Sequence, residues 1–282
     1  MPVTAAGGVP VPAPPVRLAV LGDPLRYTRS PELHRAGLAA LGLAGDSEAL
    51  PTPREMLPAR LAELSGRGFR GVNLTIPLKD AVLPHLARVS EAARAARSVN
   101  TVGFDARGWW GDTTDGPGLL DLLAELGRTP EARDRVVMLG AGGAARSLAR
   151  SLLDLGVTLT VSARRTDAAA DAWRELSAAT IVAWRSAEER SALGSATLVI
   201  HATPLAAEEE PAPLDWVERE ALLLDLIYAP ELTPWIRRAR TLGLSSYDGL
   251  GLLVHQARRS LALWFGTAPP VAPLARAVGW PR

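Results

Sequence analysis

Arg135-Val136-Val137-Met138-Leu139-Gly140-Ala141-Gly142-Gly143-Ala144-Ala145 decides how this chain folds. Residues of buried-strand character run into a glycine-rich turn and then into a helix predicted to reach about residue 154. Strand, glycine turn and helix in that order are the fingerprint of a dinucleotide-binding βαβ unit, with Ala145 standing where the third glycine of the pattern falls. The glycines let the backbone approach a pyrophosphate, and the helix N-terminus stabilises its charge. The next strand, Thr158 to Val161, ends in Ser162-Ala163-Arg164-Arg165-Thr166. An NAD site places an acid about 20 residues past the glycines to bind the ribose hydroxyls. Here two arginines stand instead, and guanidinium pairs with phosphate. The reading is NADP; the alternative is two solvated arginines in an arginine-rich chain.

Downstream, strands predicted at 179–183, 197–201 and 222–227 extend a parallel sheet. Ala202-Thr203-Pro204 and Tyr228-Ala229-Pro230 leave the carboxyl ends of the last two, the edge where open α/β sheets bind ligands. A long helix follows Asp248-Gly249 and runs to about residue 265. It carries His255, a weaker candidate, and Gln256.

Upstream the pattern alternates again. A strand at 17–22 and a helix over about 31–42 come first. A strand near 46–50, a helix near 53–65 and a strand at 70–75 continue a βαβ rhythm. Helices near 79–86 and 88–97, a strand at 98–102 and an amphipathic helix from Leu119 to Leu126 complete this half. Ser30 before Pro31 has the form of a helix N-cap. With Thr28 it also offers hydroxyls beside a helix N-terminus, a place that favours a carboxylate or phosphate. His85 lies on an apolar helix face and reads as packed.

Composition singles out a second site. The chain has one lysine, Lys79, against thirty arginines, two asparagines, Asn73 and Asn100, and one glutamine, Gln256. Arginine replaces lysine on a solvated surface but cannot replace one that must exchange a proton. The surviving lysine follows Gly71-Val72-Asn73-Leu74-Thr75-Ile76-Pro77-Leu78, a strand that breaks into a loop, where binding groups are commonly placed. Asn73 and Thr75 share a face of that strand. Asp115, before Gly116-Pro117-Gly118, either caps a helix or neighbours Lys79 across a site.

At 282 residues, 48% hydrophobic and 22% charged, the chain has core enough for one large or two ordinary globular domains. A net charge of +1 with scattered arginines gives no sign of a nucleic-acid or membrane partner. There is no cysteine, which excludes disulfides, thiolate metal sites and cysteine nucleophiles; no metal is expected. Residues 1–16 lack a basic region, and prolines interrupt them, so they read as a disordered tail rather than a signal peptide. No apolar run reaches a membrane span, and the expected compartment is the cytoplasm.

These residues carry a resemblance. Ser30-Pro31-Glu32-Leu33-His34, Asn73-Leu74-Thr75-Ile76-Pro77-Leu78-Lys79, Val99-Asn100-Thr101, Thr114-Asp115-Gly116, Gly140-Ala141-Gly142-Gly143-Ala144 and Gly249-Leu250-Gly251 through Gln256 stand in one order. Together they resemble the shikimate dehydrogenase family over almost the whole chain after residue 16. The resemblance implies an α/β fold: a substrate-binding catalytic domain over 17–116 and 250–282, and a Rossmann-type NADP domain over 117–249. It implies NADPH-dependent, reversible reduction of 3-dehydroshikimate to shikimate, with Lys79 and Asp115 as the catalytic pair. Thr28, Ser30, Asn73, Thr75, Asn100, Gln256 and Tyr228 would bind substrate. Gly140, Ala141, Gly142, Gly143, Ala144, Ala163, Arg164, Arg165, Thr203 and Gly249 would bind NADP. The partner is a small-molecule substrate, and the protein is expected as a monomer or homodimer. The chain departs from the family at Thr28 (usually serine), at Thr113 and His201 (usually asparagine), at Ala206 (glycine), at Leu252 (methionine) and at Arg97 (glycine). Family paralogues that take quinate or prefer NAD, and a non-catalytic NADP-responsive regulator of the same fold, are the alternatives; an intact Lys79 and Asp115 speak against the regulator. Gly116 with Gly118, and Gly249 with Gly251, stand at the two chain crossings and are candidate hinges.

Overall fold

The computed structural model of the chain describes residues 14–25, 27–203 and 209–282. Two six-stranded sheets organise it. The first contains β1 (Val16–Gly22), β2 (Gly45–Pro51), β3 (Gly71–Leu74), β4 (Arg88–Val89), β5 (Thr101–Asp105) and β6 (Gly108–Asp112), in the order β2-β1-β3-β5-β6-β4. Around it lie α1 (Ser30–Ala40), α2 (Leu57–Gly66), α3 (Leu78–Ala81) and α4 (Glu91–Ala96). Helix α5 (Asp115–Glu125) then leads into the second sheet.

That sheet contains β7 (Arg135–Leu139), β8 (Thr158–Ala163), β9 (Thr180–Ala183), β10 (Leu198–His201), β11 (Leu222–Asp225) and β12 (Ser245–Tyr247). All its pairings are parallel, in the order β12-β11-β10-β7-β8-β9. Helices α6 (Gly143–Leu153), α7 (Thr166–Ala172), α8 (Ala187–Leu193) and α9 (Pro234–Thr241) cover it. Strands β10 and β11 are buried throughout, as central strands covered on both faces must be, which is why they read as unbroken apolar runs. The strand order reverses between β7 and β10, and such a reversal opens a crevice at the carboxyl ends. Finally α10 (Leu250–Phe265) and α11 (Val271–Val278) return to pack on α1. The buried cluster is continuous from Leu33 and Leu38 on α1, through Leu119 and Leu122 on α5 and Val254 on α10, to Val136 and Met138 on β7.

The α/β architecture matches the sequence reading, and several local expectations are corrected. The chain before residue 14 lies outside the described residues. The expected boundary after residue 16 is corrected, because Val16 already pairs with Gly45 in β1. The βαβ rhythm of the first half holds through β3 and then gives way to an antiparallel hairpin, β5–β6. Gly103 makes room for it: a Cβ there would lie 2.2 Å from the ring of Trp110. The helix expected at 88–97 is split into the edge strand β4 and α4. Ser90 caps α4, its hydroxyl accepting from the Ala93 amide. Helix α5 starts at Asp115 and takes in Gly116-Pro117-Gly118, because proline is tolerated in a first helical turn. His85 is exposed, on a short 3-10 turn, not packed.

Candidate active site

Every residue singled out as catalytic, substrate-binding or cofactor-binding lines one cleft of about 870 Å³ at the carboxyl ends of both sheets. That volume is of the size that takes a cofactor or a drug-sized ligand.

At one end lies Lys79. Buried Leu78 anchors α3, and the Lys79 carbonyl accepts the Val99 amide at 2.8 Å, tying the lysine to the segment before β5. Its Nζ lies 2.6 Å from Asp115 Oδ2, with the lysine side chain 16% and the aspartate 5% exposed. Helix α5 has no side-chain cap; the Asp115 carboxylate turns into the cleft, and its place in the first turn sets negative charge at the positive end of the helix. Asn100 Nδ2 donates to Asp115 Oδ1 at 2.7 Å and lies 3.1 Å from Gln256 Oε1. Asn100 Oδ1 in turn accepts the Thr114 amide at 2.8 Å and the Thr101 hydroxyl at 3.0 Å.

Asn73 extends this network. Its Nδ2 donates to the Asn100 carbonyl at 2.8 Å and reaches Ser260 Oγ at 3.0 Å. A carbonyl only accepts, which fixes the amide orientation and leaves Oδ1 facing His34 Nε2 at 2.8 Å. His34 therefore carries its proton on Nε2, and Nδ1 accepts from the Ser47 hydroxyl at 2.7 Å. Burial lowers the His34 pKa to about 4, so the ring is neutral at neutral pH. Trp264 packs edge-on against it at 5.4 Å.

Ser30 opens α1 but does not cap it. Its hydroxyl accepts from Thr28 Oγ1 at 3.3 Å, and both residues line the cleft. Tyr228, on the loop after β11, closes over them. Its ring stands 5.8 Å from that of Tyr27, and burial raises its phenol pKa despite the Thr28 hydroxyl beside it.

The other end is built mainly from backbone. Gly140 has φ +112°, and a Cβ there would lie 2.7 Å from Thr203 and 2.9 Å from the Ala202 carbonyl, so only glycine fits the turn. A Cβ on Gly142 would meet nothing within 4 Å. Helix α6 has no side-chain cap, so its first amides are open to a ligand. Arg164 and Arg165 are exposed where β8 ends and form no ion pair among the described residues. This shape fits a dinucleotide with a phosphate on its adenosine ribose. Thr203 is held from behind by His201, a departure from the family pattern; Leu252 also lines the cleft, and Ala206 lies outside the described residues.

The four crossing glycines have a packing explanation. None has positive φ. A Cβ on Gly116 would strike Ser151, on Gly118 the Gln256 amide, on Gly249 the Leu226 carbonyl and on Gly251 Trp280, all within 3 Å. They let α5 approach α6 and α10, and the start of α10 approach the segments that follow β11 and α11. Sequence reasoning passed over His34, Thr101, Thr114 and Ser260. Ser260 was within reach, four residues past Gln256 on one helix face; the others depend on which strands become neighbours.

A parallel sheet in this order, arginines at the end of its second strand and an ammonium–carboxylate pair in the same cleft define an NADP-dependent oxidoreductase. Residues 20–102 match the description "Shikimate dehydrogenase substrate binding domain" and residues 249–278 "Shikimate 5'-dehydrogenase C-terminal domain". A Rhodospirillum rubrum protein named shikimate dehydrogenase (NADP(+)) is 39% identical over 92% of this chain and 94% of its own. The Thermus thermophilus shikimate 5-dehydrogenase, solved with NADP(H) and shikimate, superposes with a TM-score of 0.84 at 36% identity, over 94% of this chain and 98% of that one. The Aquifex aeolicus shikimate dehydrogenase gives 0.86 at 25% identity, over 95% and 99%. The chain belongs to the shikimate dehydrogenase family.

Proposed function

We propose that this protein catalyses the reversible reduction of 3-dehydroshikimate to shikimate with NADPH. One observation carries the reading: Lys79 Nζ and Asp115 Oδ2 are 2.6 Å apart in the cleft that also holds the glycine turn. NADPH, when bound, supplies the hydride. The protein must supply a proton to the alkoxide oxygen that forms, or remove one in the reverse direction. The Lys79 ammonium is that donor, and Asp115 aims it. Asn100 holds Asp115 from the far side, so the carboxylate cannot turn away. Proton transfer of this kind contributes roughly 10²–10⁴-fold.

The substrate carboxylate lies against Thr28 and Ser30, with Tyr228 above. Thr75 Oγ1 and Gln256 Nε2, which have no partner among the described residues, offer donors to ring hydroxyls. Asn73 and Asn100 are bonded within the protein already, so they hold Ser260, Asp115 and Gln256 in place as well as meeting substrate. A site built to bond hydroxyls rejects analogues that lack them, by roughly 10⁴–10⁵ in strong cases. The domain boundaries proposed, 116/117 and 249/250, fall at the starts of α5 and α10. The same reading sets a monomer or homodimer in the cytoplasm, acting on small molecules without nucleic-acid or membrane partners.

The test is absorbance at the nicotinamide band with purified protein, NADP and shikimate, with quinate and NAD in parallel. Turnover is expected with NADP and shikimate, and none with that pair would overturn the reading. Equal efficiency with quinate would move it to the relaxed-specificity branch of the family.

A further inference from the structure

Beyond Arg164 and Arg165 the cleft is lined by three arginines that the reaction does not use: Arg54, which is paired with Asp80, and two without an ion pair among the described residues. Arg97 ends α4, in the first sheet's part of the chain, and Arg146 lies in the second turn of α6. Both line the cleft that also holds Gly142 and Gly143, and Arg97 is exposed. Neither forms an ion pair among the described residues. Asp80, an acid within electrostatic reach of Arg146, is already paired with Arg54 at 3.1 Å. Arg146 Nε donates to the Ala96 carbonyl at 3.3 Å, which leaves its outer nitrogen 3.9 Å from where a Cβ on Gly143 would lie. Ser98 is fully buried, its Oγ has no partner, and it lies 3.8 Å from that same point.

Arg97 also sits in the left-handed region, φ 47° and ψ 43°, a conformation a non-glycine residue adopts at a cost. Burial lowers the pKa of Arg146; Asp80 offsets part of this, and the charge of Arg97 adds to it. Arg146 and an unsatisfied hydroxyl thus meet the open first turn of an eleven-residue helix, with the charge of Arg97 within electrostatic reach and the one acid near Arg146, Asp80, already paired with Arg54. An anionic ligand in the cleft would supply the direct counter-charge that Arg146 lacks.

We propose that Arg97 and Arg146 clamp the diphosphate of the bound dinucleotide against the first turn of α6, with Ser98 donating a hydrogen bond beneath it. Guanidinium groups and helix N-terminal amides are matched to phosphate oxygens. Because Arg97 belongs to the other sheet's part of the chain, cofactor binding draws the two parts together. The proposal rests on the dinucleotide reading of the cleft and extends it to residues outside the glycine fingerprint.

The diphosphate is common to NAD and NADP, whereas the 2′-phosphate belongs to NADP alone. Arg97→Gly is the informative variant, because its φ suits glycine and the fold is kept. Loss of one charge-assisted contact is expected to raise KM for NADP and for NAD by the same factor, roughly tenfold. The shikimate KM and the saturated kcat should move less than twofold. Arg97→Glu should raise both cofactor KM values further. An unchanged KM for both cofactors overturns the proposal. A rise for NADP alone also overturns it, since it would give Arg97 the 2′-phosphate instead. If wild-type protein fails to oxidise shikimate, the functional reading falls, and the clamp is then judged by tryptophan-fluorescence titration. Equal weakening of NADP and NAD in Arg97→Gly supports it; no weakening overturns it.

Discussion

The two ends of the cleft are made by opposite means. At the Lys79 end, side chains do the shaping: Lys79 pairs with Asp115, Asp115 accepts from Asn100, the Asn100 carbonyl accepts from Asn73, and Asn73 bonds to both His34 and Ser260. At the glycine end, backbone does it: a positive-φ turn, uncapped helix amides and two arginines at the rim. A wired network depends on the identity of every member, because a buried polar group left unpaired costs more than its bond was worth. A backbone cradle tolerates change as long as the turn is kept. Substitutions should therefore act through kcat and stability at the first end and through cofactor KM at the second.

The largest effect is expected at Lys79. Lys79→Ala should lower kcat by roughly 10²–10⁴-fold, the usual worth of a positioned proton donor. Lys79→Arg should fare little better, since guanidinium keeps its proton. Steady-state rates at saturating NADP and shikimate check this. Wild-type kcat in Lys79→Ala would remove the contrast between the ends.

His34 tests how firmly the network is wired. In the folded protein its pKa is lowered to about 4, against about 6.5 in an unfolded chain. Between those values the unfolded chain binds a proton that the folded protein refuses. Stability should thus be full above pH 6.5 and fall as pH drops toward 4, by about 3 kcal/mol in all. Melting temperature against pH should show this acid limb in wild type and a flatter one in His34→Gln. Parallel curves for the two proteins would mean that the ring is not held neutral.

The cofactor end is probed by Arg164→Ala with Arg165→Ala. The KM for NADP should rise roughly 10–100-fold if a charge-assisted phosphate contact is lost, with the KM for NAD almost unmoved and kcat kept. An equal loss for both cofactors would contradict the 2′-phosphate reading.

The same division governs what could be read from the sequence. The second sheet was legible because parallel strands are local: each βαβ unit carries its own apolar run, turn and helix. The glycine turn and the arginines after β8 follow from that. The first sheet was legible only through β3. The β5–β6 hairpin and the edge strand β4 depend on non-local pairing, Arg88 with Trp110 for example, which no local period records. Rare residues still marked the site, because Lys79, Asn73, Asn100 and Gln256 survive in a composition that has nearly lost their types. His34 and Thr101 belong to types the chain uses more freely, and their roles exist only once β3 and β5 are side by side.

One place at the cofactor end breaks the rule, and the smallest effect is expected there. Thr203 bonds to His201 Nε2. His201 Nδ1 lies 2.9 Å from Asp225 Oδ1, which also accepts the Ile227 amide at 3.0 Å, while Thr233 donates to Oδ2 at 2.7 Å. Asp225 accepts from the ring, so Nε2 is left to accept the Thr203 hydroxyl, and the threonine is fixed by a wired chain rather than by its turn. Asparagine at 201 can reach Asp225 or Thr203 but is too short for both. His201→Asn should therefore raise the KM for NADP about two- to fivefold, the worth of one neutral hydrogen bond, with kcat within twofold. Thr203→Val should do the same, and the double variant should add little to either, because residues acting through one bond are not additive. Fully additive losses would show that His201 serves the buried sheet alone and that the cofactor end is backbone-built throughout.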